Sequence, residues 1–332
     1  MKSFDPLLTQ TITDARRLLL TSHVHPDGDA AGSVIGLARS LRQIGKMIDI
    51  AWSTSVEGRF DFLFQGEPVL TPETIRPPYD AVIILDIGSE DRTGFQDIIR
   101  ELGCPIINID HHATNEGFCR IDHVDMTASS TCEIVLHLIR TAGWPLDIPV
   151  AEALYTGLVT DSRHFQNAGV TQETFEAAAV LKSTGLNTEP IIQVLVQGRS
   201  ETDLRVLGFA LSHFESVADG RIACAMLSQP DLELLGANHR HVWTAGVFSY
   251  LISLAQAIVS VTLVEAENGR VYCEFRSKNG FDVSEIATEF GGGGHRAASG
   301  CSQEIPISEF RDAVLNRLLP RIEAFTGASD RS

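Results

Sequence analysis

Two apolar runs in this chain end abruptly in charge: Ala81-Val-Ile-Ile-Leu85 leads straight into Asp86, and Ile106-Ile-Asn-Ile109 into Asp110-His111-His112. Short runs rich in isoleucine and valine read as strands buried on both faces. Leu18–Leu20, leading into Ser22, and Ile48–Trp52 read the same way. Longer amphipathic stretches lie between them. Ala30–Ile44 has helical spacing and stops near Gly45, Ser129 and Ser130 are cap residues for a helix through Ile139 with Glu133 at N3 of a Ser130 cap, and a further helix covers about Val150–Val159. This alternation predicts an α/β fold, a mostly parallel sheet with helices on both faces.

Beyond it, Thr171–Phe214 reads as nearly continuous helix, punctuated by Gly185, Pro190 and Gly198. Strands return at Arg221–Leu227, Ala257–Val264 and Arg270–Phe275, with helical patterns over Val242–Ala255 and Ile307–Phe325. A chain of 332 residues suits two domains. The expected division is a first domain over 1–185, a helical linker over 186–219 and a smaller α/β, mixed-sheet domain over 220–326.

Acids and histidines gather where strands and helices end. His23-Val-His-Pro-Asp27-Gly-Asp29 follows the first strand, Asp86 and Asp110-His111-His112 follow the two apolar runs, and Asp161 ends an apolar helical pattern. Parallel sheets place ligands beyond the carboxyl ends of their strands, so these clusters can converge on one crevice. Three adjacent titratable groups after a buried strand would cost several kcal/mol of desolvation without partners or metal. At Asp161 a carboxylate meets the negative end of a helix dipole, which a nearby cation would relieve. An oxygen-rich set with some imidazole and no cysteine suits two divalent ions, Mn²⁺ first, with Mg²⁺, Co²⁺ or Fe²⁺ as alternatives. Two ions sharing a carboxylate can activate a bridging water or hydroxide for displacement at phosphorus.

In the second half, Gly291-Gly292-Gly293-Gly294-His295-Arg296 permits close approach of backbone amides to an anion, with a helix expected to start at His295. Arg276-Ser277-Lys278, at the end of what reads as the last strand, offers further phosphate contacts. The formal charge is −17, from 26 Lys plus Arg against 43 Asp plus Glu, which argues against a track for long nucleic acid. The six cysteines form no C-x-x-C pair, no segment approaches the roughly 18 apolar residues of a membrane span, and no signal peptide is evident. A cytoplasmic location is expected, without a membrane partner; a homodimer is compatible with this reading.

In order, His23-x-x-x-Asp27-x-Asp29, Asp86, Asp110-His111-His112 and Asp161 resemble the four motifs of DHH phosphoesterases. Phe275-Arg-Ser-Lys through Gly291-Gly-Gly-Gly-His295-Arg-Ala-Ala-Ser-Gly300 resembles the DHH-associated C-terminal domain. The compact length is most similar to the bacterial nanoRNases, which cleave very short oligoribonucleotides and dephosphorylate 3′-phosphoadenosine-5′-phosphate (pAp). The resemblance implies one metal on His23, Asp27 and Asp86, and a second on Asp29, Asp86, His111 and Asp161. It implies that His112 faces the scissile phosphate with Asp110 supporting it, and that Arg276, Ser277 and His295 grip the substrate's other phosphate and terminal nucleotide. Related activities are hydrolysis of cyclic or linear dinucleotides and RecJ-type exonuclease action; a nucleotide sensor without catalysis would have lost a ligand, and none is missing. One departure concerns substrate contacts: the family usually has Thr-Gly-x-Phe-Arg after the last aspartate, where this chain has Ser162-Arg163-His164-Phe165-Gln166.

Overall fold

The computed structural model describes residues 2–115, 117–167 and 169–329; the side chains of His295 and of residues 327–329 lie outside the described set. Two compact units divide the chain, Met1–Gly198 and Arg199–Ser332. The helical stretch after Thr171 is three helices, two in the first unit and one in the second.

In the first unit the elements run α1 (Pro6–Asp14), β1 (Arg17–Thr21), α2 (Gly28–Gln43), β2 (Met47–Ala51), β3 (Val69–Leu70), β4 (Ala81–Leu85), α3 (Gln96–Glu101), β5 (Ile106–Asp110), β6 (Ile121–Val124), α4 (Thr131–Ala142), α5 (Ile148–Asp161), α6 (Gln172–Ser183) and α7 (Glu189–Gln197). Six parallel strands form one sheet in the order β3-β2-β1-β4-β5-β6. Alternate residues of β1 serve opposite faces: Leu18 and Leu20 join the core beneath α2, α4 and α5, while Leu19 joins Val82, Ile84 and Ile99 on the other side. The expected parallel sheet with helices on both faces is the fold observed.

One helix pair fixes where the chemistry sits. A Cβ added to Gly32 of α2 would lie 2.4 Å from the Ala153 carbonyl of α5, and one on Gly157 would lie 2.3 Å from Cys132 Sγ and 2.9 Å from Asp29 Oδ1. Both positions need glycine because α2 and α5 pack backbone to backbone there. Asp29 in the first turn of α2 and Asp161 at the end of α5 are thereby brought to the same end of the pair.

The second unit comprises α8 (Glu201–His213), β7 (Glu215–Val217), β8 (Ile222–Leu227), α9 (Gln229–Leu234), α10 (His239–Ala245), α11 (Val247–Ile252), β9 (Val259–Glu265), β10 (Val271–Ser277), α12 (Ser284–Glu289), β11 (Gly293–His295), β12 (Ala298–Gln303) and α13 (Ile307–Ser329). Its sheet, ordered β11-β12-β10-β9-β8-β7, is mixed, with β8 and β9 parallel and the other pairs antiparallel. Three sequence expectations change here. His295 ends a strand rather than starting a helix, so the glycine run enters a β-hairpin with β12. The strand containing Arg276 is therefore not the last. The pattern over Val242–Ala255 is two helices, broken where Gly246 takes φ +71°. Among the described residues, no helix is long and apolar enough to cross a membrane.

Because Gly32 has no room for a side chain, Gly32→Val should destabilise the protein by about 1–3 kcal/mol through overpacking. Gly208, exposed in α8 with open space around its Cα, should accept alanine with a gain of about 0.4–1 kcal/mol. Urea unfolding of the two variants checks both signs.

Candidate metal centre and active site

Each ligand candidate is held by a local device. Asp27 is the N-cap of α2, its Oδ1 accepting from the amides of Asp29 and Ala30 at 3.0 and 3.1 Å. Asp29 is buried and performs the same service for a different helix: its Oδ2 accepts from Thr131 N at 2.6 Å and its Oδ1 from Cys132 N at 2.9 Å, both in the first turn of α4. Ser130 caps that helix, accepting from Glu133 N at 3.1 Å. Asp86 stands just beyond β4 with φ +57°, a left-handed conformation that costs a non-glycine residue of order 1 kcal/mol or more and directs its carboxylate inward.

His23 Nδ1 lies 2.8 Å from the Val24 carbonyl, a bond only Nδ1–H can donate. Its Nε2 faces Asp86 Oδ2 at 3.7 Å and Asp27 Oδ1 at 4.0 Å. His111 Nε2 lies 3.4 Å from Asp161 Oδ2, 3.7 Å from Asp86 Oδ1 and 3.9 Å from Asp29 Oδ2. Two three-residue groups result, His23–Asp27–Asp86 and Asp29–His111–Asp161, each with donor atoms within 4.8 Å of one another; Asp86, His111 and His112 form a third. Every residue expected to hold metal falls within these groups.

His112 belongs to a separate relay. Its Nδ1 donates to Asp110 Oδ1 at 2.6 Å, and Asp110 Oδ2 accepts from Asn115 Nδ2 at 2.7 Å. Asn115 also donates to the Ile87 carbonyl at 2.9 Å, tying the relay to the turn after Asp86. Against the pull of burial, Asp110 and Asp86 raise the His112 pKa to about 9. Burial raises Asp86 too, but His23, His112 and His111 around it hold it well below the usual carboxylate range.

The other two buried acids behave oppositely. Burial, then the charges of Asp86, Asp161 and Asp27, push Asp29 well above its ordinary value. Burial and the carboxylates of Asp86 and Asp27 raise Asp161 to about 7, although His111 opposes them. Asp29 thus accepts two amide hydrogen bonds, an environment for an anion, inside a field that resists ionisation. Divalent cations resolve that conflict, and the oxygen and imidazole donors suit them.

After Asp161 the chain closes α5 with a Schellman turn, Arg163 N bonding Thr160 O at 3.1 Å and His164 N bonding Val159 O at 2.8 Å. Arg163, His164 and Phe165 all adopt positive φ, +48°, +58° and +63°. The departure from the family motif therefore places arginine at the left-handed position that glycine favours.

In the second unit, residues expected at substrate make contacts of their own. Ser277 Oγ donates to the carbonyls of Phe281 and Arg296 at 2.7 and 3.2 Å. Arg296 Nε and Nη2 donate to the Gly280 carbonyl at 3.0 and 2.5 Å. Lys278 Nζ caps the carbonyls of Ile252, Leu254 and Ala255. Arg276 stacks on the Phe248 ring at 4.2 Å and pairs with Glu274 at 3.1 Å, and being next to Ser277 on β10 it points to the opposite face. A Cβ on Gly292 would meet the Gly300 carbonyl at 2.1 Å, Gly291 and Gly294 take φ +73° and +139°, and only Gly293 combines ordinary φ with open space. The expected role of the His295 side chain falls outside the described residues. Sequence reasoning does not single out Thr131 or Asn115; of the hydroxyl run Ser129-Ser130-Thr131 it picks only Ser129 and Ser130, as caps.

Residues 17–158 match the DHH family, N-terminal domain, and residues 240–323 match the DHHA1 domain. The bifunctional oligoribonuclease and PAP phosphatase NrnA of Thermus thermophilus is 31% identical over 289 residues, covering 86% of this chain and 83% of that protein. The Bacillus subtilis protein of the same name is 27% identical over 304 residues, 89% of this chain and 92% of its own. A solved structure of an exopolyphosphatase-related protein from Bacteroides fragilis is similar with a TM-score of 0.90 and 25% identity, covering 97% of this chain and 99% of that one. With these motifs, domains and relatives, the chain belongs to the DHH family of divalent-metal-dependent phosphoesterases and is a phosphoric ester hydrolase.

Proposed function

We propose that this chain hydrolyses oligoribonucleotides of two to five residues to mononucleotides and removes phosphate from pAp, using two divalent cations, Mn²⁺ by preference, in the cytoplasm. The observation that carries the two-cation centre is the pair of ligand groups on either side of Asp86: His23, grouped with Asp27, faces its Oδ2, and His111, grouped with Asp29 and Asp161, faces its Oδ1. Such a pair supplies Lewis acidity, making water a stronger nucleophile and withdrawing charge from the phosphate. His112, fixed by Asp110 and Asn115 and favoured in its protonated form by the carboxylates of Asp110 and Asp86, would present a proton at Nε2 to the phosphoryl oxygen where negative charge builds. Arg276, His295 and the amides of Gly291–Gly294 recognise phosphate by charge and geometry. Ser277 and Arg296 keep that loop in shape through their bonds to neighbouring carbonyls. The substrate choice is supported by the names of the relatives and by the acidic charge of the chain.

A panel with Mn²⁺ tests the substrate: pAp and 3-mer RNA should turn over much faster per molecule than a 20-mer, a cyclic dinucleotide or pyrophosphate. Equal rates on the 3-mer and the 20-mer would refute the short-RNA assignment, and a preference for the cyclic dinucleotide would replace it.

Glycine variants test the loop. Gly293→Val, pointing into open space, should lower kcat/KM on the order of a hundredfold with metal content unchanged. Gly292→Ala should instead cost stability, because its Cβ meets the backbone of Gly300. Unchanged kinetics in Gly293→Val would remove the loop from substrate recognition.

Metal and pH are linked. In the metal-free protein Asp161 titrates at about 7 and His112 at about 9, both above their ordinary values. The folded state therefore binds more protons than the unfolded state, from about pH 4 to 7 through Asp161 and from about 6.5 to 9 through His112, so stability falls as pH rises across both windows. Cations replace the carboxyl proton and offset the repulsion. The rise in Tm on adding Mn²⁺ to chelator-treated protein should be larger near pH 8 than near pH 6; equal rises would separate the ions from these acids.

A further inference from the structure

We infer that Thr131 is the positioning residue that keeps Asp86 shared between the two cation sites, an inference that rests on the two-cation reading above. Thr131 is fully buried at the first position of α4. Its amide donates to Asp29 Oδ2 at 2.6 Å, and its hydroxyl donates to Asp86 Oδ1 at 3.0 Å. One residue thus touches both the shared carboxylate and a carboxylate of the His111 group.

The hydroxyl bond decides how the Asp86 carboxylate is turned. A carboxylate at a strand tip can rotate about Cβ–Cγ, and at 3.7 Å from three imidazole nitrogens Asp86 has several directions in which to turn. Thr131 Oγ1 takes one lone pair of Oδ1 and so sets the plane of the group. Oδ2 then faces His23, while the remaining lone pair of Oδ1 is left toward His111. The helix beneath is held by the Ser130 cap and by both Asp29 bonds, so the hydroxyl is oriented before any ion arrives. Groups that orient a ligand in this way are commonly worth 10–100-fold in metal affinity.

Thr131→Val keeps the shape and the amide bond to Asp29 but deletes the donor to Asp86; Thr131→Ser keeps the donor. Calorimetric Mn²⁺ titration of the full chain should give two ions in wild type and in Thr131→Ser. In Thr131→Val one of the two should bind about 10–100-fold more weakly, and the exchange coupling between paired Mn²⁺ ions in the electron paramagnetic resonance spectrum should be lost. Thr131→Ala carries the same expectation and serves if the valine variant does not fold, as judged by its Tm in chelator. Wild-type affinities and coupling in the folded valine or alanine variant, or failure of serine to restore them, would overturn the role of Thr131. Fewer than two ions in wild type would instead refute the two-cation centre itself.

Discussion

Like charges gathered in a buried place repel, and most of the first unit can be read as a response to that repulsion. Asp29, Asp86 and Asp161 present carboxylate oxygens around the same His111 nitrogen. Burying such groups costs several kcal/mol each unless they are paired. Two amides of α4 support Asp29, three imidazoles surround Asp86, and a hydroxyl steadies it. These measures are uneven: Asp86 is held as an anion while Asp29 and Asp161 are pushed toward their neutral forms. What the protein does not neutralise from within, cations complete.

The strand order explains how segments so far apart in sequence reach one place. In β3-β2-β1-β4-β5-β6 the chain works outward from β1 in one direction and then from β4 in the other. Loops leaving the carboxyl ends of β1 and β4 therefore diverge, and a crevice opens between them. His23 and Asp27 follow β1, Asp86 follows β4, and Asp110 to His112 lie at the end of the next strand. The remaining two acids come from α2 and α5, whose glycine contacts let the helices meet closely. Sheet topology brings in four of the six ligand candidates and helix packing the other two, and neither would suffice alone.

This division also accounts for what could be read from sequence. Strand tips were legible because a strand buried on both faces appears as an unbroken apolar run, and the charge after it marks its end. The hairpin of β11 and β12 was not, since Gly293-Gly-His295 and Ala298-Ser-Gly-Cys-Ser-Gln303 offer little hydrophobic contrast. The expected helix start at His295 failed for that reason. Lys278, Ser277 and Arg296 looked available for phosphate because their partners are backbone carbonyls, which leave no trace in side-chain identity. Ser129, Ser130 and Thr131 are chemically similar neighbours; only the fold separates the cap from the residue that reaches Asp86.

The contact between α2 and α5 carries a consequence for ion choice. With Gly32 and Gly157 against backbone and side-chain atoms of the facing elements, the helices cannot move closer together. Asp29 and Asp161 stand at the end of this pair, so the helix spacing acts as a gauge for the gap between their oxygens. An ion of different radius must then be met by side-chain rotation, since the backbone has no slack to follow it. Selection among chemically similar cations would in that case be governed by the width between two helices as much as by the identity of the ligands.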